Sequence, residues 1–177
     1  PLVGMHIVDE EMNPVPADGE STGEIVLRAP WLTQGYLKDH HNSEQLWRGG
    51  YLHTGDVANQ ETNGYFKITD RAKDVIKIAG EWVSSLELED LIAQHATVSE
   101  VAVIGMPDDK WGERPLALVV RGESEPNEKE LVSFVKSFVD SGRLTRHAMM
   151  LKVLVVDEID KTSVGKIDKK LLRKKHL

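Results

Sequence analysis

The chain has 177 residues and a net charge of -7, with 40% hydrophobic and 29% charged residues. This composition suits one globular domain or two small ones, and it argues against a partner such as nucleic acid, which favours a basic surface. The absence of cysteine excludes disulfides and thiolate catalysis and fits a cytoplasmic protein. No apolar run approaches the roughly 20 residues that a membrane-spanning helix needs.

The sequence gives little support for a metal site or for the active site of a serine hydrolase. The seven histidines are scattered and form no HExxH pattern, so no metal site is predicted. No G-x-S-x-G element is present to place a nucleophilic serine. The first residues, PLVGMHIVDEE, lack the basic start and apolar centre of a signal peptide. They are predicted to begin in a strand, so we expect the chain to be cut from something longer.

Strands and turns are predicted for residues 1–69. Two apolar stretches flank a loop rich in Pro, Gly, Asp and Asn in MHIVDEEMNPVPADGESTGEIVLRA, which is typical of a long hairpin or meander. One short helix with a glycine stop is predicted in SEQLWRGG. Alternation resumes in YLHTGDVANQETNGYFKIT, where Asn-Gly indicates a turn.

Beyond Thr69 strands and helices alternate, which predicts an α/β or α+β part. The strands are DVIKIAG followed by three continuous apolar runs expected to be buried: VAVIGMP, PLALVVR and LKVLVVDE. The helices are SSLELEDLIAQH, which starts with a capping box at Ser84 and Glu87, then NEKELVSFVKSFVDSG, then the basic amphipathic segment IDKKLLRKKHL.

We place a domain boundary at Asp70–Arg71, which divides the chain into residues 1–69 and 70–177. The first part is small and rich in strand edges, so we expect it to be the end of a larger β-containing domain. Without that parent domain, its exposed edges could also pair with a second copy.

The first polar cluster is YLHTGD, residues 51–56. We interpret Thr54 and Gly55 as a tight turn that presents the carboxylate of Asp56. A carboxylate at such a position suits hydrogen bonding to both hydroxyls of a ribose. Taken alone, the cluster is more often an aspartate in a hairpin turn.

The second cluster is DRAKDVIKIAGEW, residues 70–82. Arg71, Lys73 and Lys77 have the charge to meet phosphate or ribose oxygens, although charges also commonly protect an edge strand. Gly80 either permits close approach of a ligand or supplies a positive φ. Trp82 either stacks on a base or fills the core, and taken alone the core is the better interpretation.

The third cluster is DKTSVGKIDKK, residues 160–170. It is not a phosphate-binding P-loop, because Asp160 stands where the first glycine is required and Ile167 follows Lys166. A solvated basic tail is the ordinary alternative. However, the turn through Thr162, Ser163 and Gly165 would place the Lys166 ammonium on a mobile arm, where it could meet a developing anion.

Together, the ordered stretches GEIVLRAPWLTQGYL, YLHTGD, DRAKDVIKIAGEWVSSLELED and DKTSVGKIDKK resemble the adenylate-forming superfamily, which includes acyl-CoA synthetases, adenylation domains and luciferases. KDVIKIAGEWVSSLELED with DDKWGERPLALVV is most similar to the fatty-acyl-CoA ligase branch. The resemblance implies a fold in which a β-rich end of the large domain precedes a small α+β domain. That domain would have a three-stranded sheet with flanking helices and a short two-stranded ribbon.

The resemblance also implies a reaction. ATP and a fatty acid would form an acyl-AMP with Mg²⁺, whose site would lie mostly upstream of this chain, and CoA would then accept the acyl group. The chain alone is expected to be inactive. Peripheral contact with a membrane and a homodimer are compatible with this picture.

Roles follow from the matching positions. Asp56 and Arg71 would contact the nucleotide ribose, and Lys73 would be the hinge about which the small domain turns. Lys77 and Trp82 would lie near the nucleotide, and Gly80 with Glu81 would form the loop beside the CoA channel. Lys166 would reach the α-phosphate and the carboxylate during adenylation.

Four departures from the family pattern stand out. Asp160 replaces a proline, which would loosen the turn and add a carboxylate near Lys166. Ala79 stands where a glycine often precedes Gly80. Ala96-Thr97 and the segment before the last strand lack expected prolines. None of these changes removes a functional residue of a motif.

Two alternatives remain from the sequence. One is adenylation for a different use within the same superfamily, such as loading of a carrier protein or oxidation. The other is a non-catalytic nucleotide-binding or interaction module.

Overall fold

A computed structural model describes residues 2–177 of the chain. Its contacts divide it into two compact units, one ending at Lys73 and the other covering Asp74–Leu177. The expected boundary at Asp70–Arg71 falls a few residues earlier, inside the last strand of the first unit.

The first unit is built on a four-stranded antiparallel meander in the order β1-β2-β3-β4. The strands are β1 (Gly4–Val8), β2 (Thr22–Arg28), β3 (Leu52–Gln60) and β4 (Phe66–Arg71). The predicted hairpin in the first 28 residues is therefore confirmed. The Asn-Gly turn is also confirmed, since Gly64 joins β3 to β4 with a φ of 89°.

A short helix, α1 (His40–Leu46), lies between β2 and β3 in the sequence. Asp39 caps its N-terminus by accepting a hydrogen bond from the Asn42 amide. The Asn42 side chain also donates to this carboxylate, and the two bonds lower the pKa of Asp39. The helix ends at Leu46, and the predicted glycine stop lies in the 3₁₀ turn at Arg48–Gly50 that follows.

The second unit contains a mixed sheet with strand order β6-β5-β8-β7, and β9 pairs with β8 in parallel. The strands are β5 (Ile76–Ile78), β6 (Glu81–Val83), β7 (Val98–Asp108), β8 (Gly112–Arg121) and β9 (Lys152–Val156). The short ribbon β5–β6 joins the three long strands through one pair, Ile78 with Gly112. The predicted α+β class, three-stranded sheet and ribbon are confirmed.

Helices cover both faces of this sheet. They are α2 (Ser85–Ile92), α3 (Glu128–Asp140) and α4 (Lys169–His176). Val101, Val103, Ala117 and Val119 point to one face and pack with leucines of α2 and α3. Their sequence neighbours point to the other face and pack with Leu172 of α4. Because both faces of β7 and β8 are covered, these strands are apolar without alternation.

The burial predicted for β9 is wrong. Leu154 and Val155 are 41% and 42% exposed, because β9 lies at the edge of the sheet and only one of its sides is hydrogen-bonded to a strand. A continuous apolar run therefore indicates a strand here but not its position in the sheet. No helix among the described residues is long and apolar enough to cross a bilayer.

Candidate functional site

All of YLHTGD except Tyr51 lies within strand β3, where the strand forms a bulge. The pairing with β2 jumps from Val57 to His53 while β2 advances only from Glu24 to Val26. Gly55 adopts a φ of 72°, which a glycine tolerates easily. The predicted tight turn at Thr54 and Gly55 is therefore wrong, since the chain continues in the same strand on either side.

Hydrogen bonds from the neighbouring strand hold the bulge. The Thr54 hydroxyl donates to the Ile25 carbonyl at 2.8 Å, and the Gly55 amide donates to Glu24 Oε1 at 2.9 Å. The Asp56 amide donates to the Thr54 hydroxyl at 3.1 Å. These three hydrogen bonds fix the backbone of the bulge immediately before Asp56.

Asp56 and Arg71 are brought together as cross-strand neighbours in β3 and β4. Arg71 Nη1 lies 2.8 Å from Asp56 Oδ1, and both side chains remain partly exposed, at 56% for Arg71 and 30% for Asp56. Asp56 Oδ2 has no partner among the described residues. The pair therefore offers one free carboxylate oxygen and several free guanidinium donors to a ligand.

A second polar pair behind the bulge was not found from the sequence. His53 Nδ1 lies 2.7 Å from Glu24 Oε2, and its Nε2 lies 3.1 Å from the Arg48 carbonyl. Glu24 therefore supports both the bulge amide and this histidine. No local pattern could have indicated the pair, because its members lie on different strands and meet only through the register of the sheet.

Lys73 lies in an exposed turn after β4, at the point in the sequence where the two units divide. Its side chain has no hydrogen bond or ion pair among the described residues. The next residue, Asp74, is buried and forms an ion pair with Arg173, in which Asp74 Oδ1 lies 2.9 Å from Arg173 Nη1. A backbone rotation at Lys73 would therefore occur next to Asp74, whose position in the second unit is fixed by burial and by its ion pair.

Lys77 and Trp82 face each other across the β5–β6 ribbon. They are paired in register, and the Lys77 ammonium lies 5.5 Å from the centre of the indole ring. Trp82 is half-buried and lies outside the hydrophobic clusters, so the core interpretation of this residue is wrong. Its indole contacts a cation at the surface of the ribbon instead.

The two-residue turn of the ribbon is formed by Ala79 and Gly80, with φ angles of 53° and 87°. Both values lie in the left-handed region that a type I′ hairpin turn requires. A Cβ atom at position 80 would have no other atom within 4 Å. Glycine is therefore favoured at this position by its backbone conformation and not by lack of space. Glu81, at the start of β6, pairs with His147 Nδ1 at 2.9 Å.

Lys166 lies at the end of a closed loop. The Thr162 amide donates to the Lys166 carbonyl at 2.7 Å, and the Gly165 amide donates to the Thr162 carbonyl at 2.9 Å. Gly165 has a φ of 80°, and no atom crowds it. The Lys166 side chain is exposed and makes no hydrogen bond or ion pair within residues 2–177. Its ammonium is therefore free to contact a ligand, on a backbone that is hydrogen-bonded and not loose.

Asp160 closes the loop and does not loosen it. Its carbonyl accepts a hydrogen bond from the Asp168 amide at 2.9 Å. Its carboxylate accepts two bonds from Lys175 Nζ, at 2.6 and 2.8 Å. The expectation of a looser turn with a carboxylate available to Lys166 is therefore wrong, because helix α4 neutralises that carboxylate.

Lys169 is buried, so the alternative of a solvated basic tail is wrong at this position. Its ammonium bonds to Glu89 Oε1 and to Ser85 Oγ, both at 2.7 Å. The signal was present in the sequence. Lys169 shares a helix face with Leu172, and Ser85 and Glu89 stand four residues apart among the apolar positions of α2.

The predicted side chains thus form two pairs with each other, since Asp56 meets Arg71 and Lys77 meets Trp82. Glu81 pairs instead with His147. Lys73 and Lys166 make no hydrogen bond or ion pair among residues 2–177. Three lysines or arginines of α4 are used inside the second unit, by Asp74, Glu89 and Asp160.

The sequence of the chain is similar to those of known proteins. Residues 87–166 match the family described as AMP-binding enzyme C-terminal domain. The chain is 38% identical to the long-chain-fatty-acid–CoA ligase of Thermus thermophilus, across 99% of this chain and 32% of the relative. It is 40% identical to the acetate–CoA ligase CCL3 of Humulus lupulus, across 98% of this chain and 31% of the relative. The chain therefore spans about a third of the length of these relatives.

Solved structures give the same result. The ATP-bound MatB of Rhodopseudomonas palustris superposes with a TM-score of 0.79 at 29% identity, over 99% of this chain and 34% of that one. The amide bond synthetase McbA of Marinactinospora thermotolerans gives 0.76 at 30% identity, over 100% of this chain and 35% of that one. Residues 87–166 of the second unit are thus similar to the C-terminal domain of AMP-binding enzymes, and nearly the whole chain is similar to the C-terminal third of CoA ligases and related ATP-binding enzymes.

Proposed function

We propose that this chain is the C-terminal part of an ATP-dependent acyl-CoA ligase that activates a fatty acid as acyl-AMP and transfers it to CoA. The observation that carries the proposal is Lys166, an exposed and unpaired cation on a hydrogen-bonded loop. The similarity to CoA ligases supports the reaction. The cysteine-free composition supports a cytoplasmic location, whereas some relatives are named as peroxisomal.

Attack of the fatty-acid carboxylate on the α-phosphate of ATP forms acyl-AMP, breaks the bond to the β-phosphate and releases pyrophosphate. This step brings negative charge onto the transferring group. A cation placed at that group stabilises the transition state more than the ground state and so raises the rate. The Lys166 ammonium supplies this charge without breaking an existing ion pair. The described residues hold no group of three or more His, Asp or Glu side chains that could bind a metal, so we assign no step to Mg²⁺ on this chain.

Asp56 and Arg71 are proposed to hold the nucleotide. The free Oδ2 of Asp56 would accept hydrogen bonds from the ribose hydroxyls, while Arg71 holds the other carboxylate oxygen and adds its own donors. Lys77 and Trp82 of the second unit are also proposed to contact a nucleotide, because the indole has a face to offer a base.

The second half-reaction needs a different arrangement. Rotation at Lys73 would withdraw Lys166 and bring the Gly80–Glu81 loop to the CoA thiol channel. The exposed turn at Lys73 supports this role, as does its place between the two units. The open space around Gly80 would let an extended ligand pass close to the backbone.

The test is Lys166→Ala in the full-length ligase, with Lys170→Ala as the matched control. Lys170 is also exposed and makes no hydrogen bond or ion pair among residues 2–177. We expect acyl-AMP formation to fall by about tenfold or more in Lys166→Ala, while thioester formation from supplied acyl-AMP is largely spared. A smaller fall in acyl-AMP formation, or an equal fall in the control, contradicts the assigned role.

A different acceptor is the second candidate. In fold, the amide bond synthetase McbA, with a TM-score of 0.76, resembles this chain about as closely as the anthranilate CoA ligase AuaEII does, with 0.74. Mass spectrometry with CoA, an amine and a carrier protein offered in turn would identify the acceptor. Exclusive formation of acyl-CoA supports the ligase, and an amide or carrier-bound product would replace it.

A further inference from the structure

A buried ionic cluster connects three elements of the second unit next to the Lys166 loop. The Lys169 ammonium bonds to Glu89 Oε1 and to the Ser85 hydroxyl. Glu89 Oε1 also accepts the Val103 amide at 2.7 Å. The side chains of Lys169 and Glu89 are only 9% and 11% exposed. The start of α4 is thereby joined to α2 and to strand β7, which pairs with β8 at one end of the strand order.

Stability alone is a weak reason for such a pair. Removing two charges from water costs several kcal/mol, and well-packed apolar side chains in place of a buried ion pair are often as stable or more so. A buried ion pair is directional, however, because its hydrogen bonds are satisfied in only one arrangement. This cluster therefore fixes where α4 begins more sharply than apolar packing would.

A short segment, whose residues are held by packing and hydrogen bonds, connects the buried ion pair to Lys166. Only Ile167 and Asp168 lie between Lys166 and Lys169. Ile167 packs against the second hydrophobic cluster. Asp168 caps α4 by accepting the Leu171 amide at 3.0 Å, and its own amide donates to the Asp160 carbonyl. A shift of the start of α4 would therefore move the backbone of Lys166.

We propose that Lys169 is a positioning residue for Lys166, acting through its buried ion pair with Glu89. Lys169 does not touch the substrate. It sets the position of the loop on the sheet, so that the Lys166 ammonium reaches the transferring phosphate in a single geometry. This inference rests on the proposed function, and it adds Lys169, Glu89 and Ser85 to the residues that the adenylation step requires.

The test is the double variant Lys169→Met with Glu89→Gln in the full-length ligase. It removes both charges, and the glutamine oxygen still accepts the Val103 amide. We expect the rate of acyl-AMP formation to fall by about tenfold or more, since small misplacements of a catalytic group have effects of that order. Thioester formation from supplied acyl-AMP should stay within about twofold of wild type, because that step does not use Lys166.

Lys170→Met is the matched control, since it removes a neighbouring, exposed and unpaired lysine from the same helix. It should leave both half-reactions unchanged. If the double variant lowers both half-reactions equally, or neither, the positioning role is overturned. The single variant Lys169→Met is less informative, because it leaves Glu89 buried without its cation and could unfold the unit.

Hydrogen exchange on the 177-residue chain separates this inference from the proposed function. The amides of Thr162 and Asp168, which close the loop, should exchange faster in the double variant than in wild type or Lys170→Met. If Lys166→Ala leaves adenylation intact, the proposed function fails at that residue, and the exchange data still decide whether Lys169 positions the loop. Unchanged exchange in the double variant would overturn the coupling.

Discussion

The ion pair between Asp160 and Lys175 gives a prediction that can be worked from the structure. The Asp160 side chain is 17% exposed and accepts two hydrogen bonds, whereas Lys175 is 49% exposed. Exposed pairs contribute about 0.2–1 kcal/mol to stability. Since this carboxylate is largely buried and both of its oxygens are bonded, we expect a coupling energy near the upper end, about 1 kcal/mol.

A double-mutant cycle measures this coupling. Asp160→Ala, Lys175→Ala and the double variant would be compared by hydrogen exchange of Leu118, whose buried amide in β8 reports the opening of the second unit. The coupling should shrink in about 1 M salt, where the Debye length is about 3 Å. Additive effects of the two substitutions would refute the conclusion that α4 neutralises Asp160. Lys170→Ala supplies a control for loss of a lysine from the same helix.

Three further predictions concern the backbone, a carboxylate and the core. Ala79→Gly should stabilise the chain by about 0.5 kcal/mol in urea unfolding, because glycine relieves the left-handed strain at φ 53° but costs unfolded-state entropy; a loss of stability would contradict the assigned turn. The Ser21 side chain, with backbone amides, lowers the pKa of Asp18 from 3.8 to about 2. The contribution of ionised Asp18 to stability should therefore be complete above pH 3.8 and lost as the pH falls through about 2. A midpoint near 3.8 for Asp18 in an NMR titration would contradict this. Leu172→Ala should cost about 3 kcal/mol in urea unfolding, against under about 1.5 kcal/mol for the half-buried Leu171→Ala; equal losses would contradict the packing of α4.

Much of the fold could be predicted because its local patterns agree with its tertiary contacts. The hydroxyl of Ser84 accepts the Glu87 amide at 3.1 Å, as the capping pattern indicated. Leu131 and Val135 are buried at the helical spacing seen in the sequence, and α3 is followed by Gly142 with a φ of 76°. Each of these features depends on residues within one turn of each other.

The predictions from sequence were wrong where the local structure depends on contact with a residue that is distant in the sequence. An apolar run specifies a strand, but only the order of strands placed β9 at the edge with Leu154 and Val155 exposed. Thr54 and Gly55 have the composition of a turn, yet β2 continues alongside them and makes the segment a bulge. The partner of Asp160 lies fifteen residues away, on the other side of the loop.

The candidate site shows the same division. By itself, the sequence determined which residues carry charge and in what order: Asp56, Arg71, Lys73, Lys77 and Lys166 each stand in a recognisable motif. Only the tertiary structure decided which of these charges are free. Asp56 is paired with Arg71, while Lys166 remains unpaired and Lys169, three residues later, is buried on Glu89. The physical reason is that a lysine's role depends on where its ammonium finds a carboxylate, and that partner is chosen by the packing of helices on the sheet.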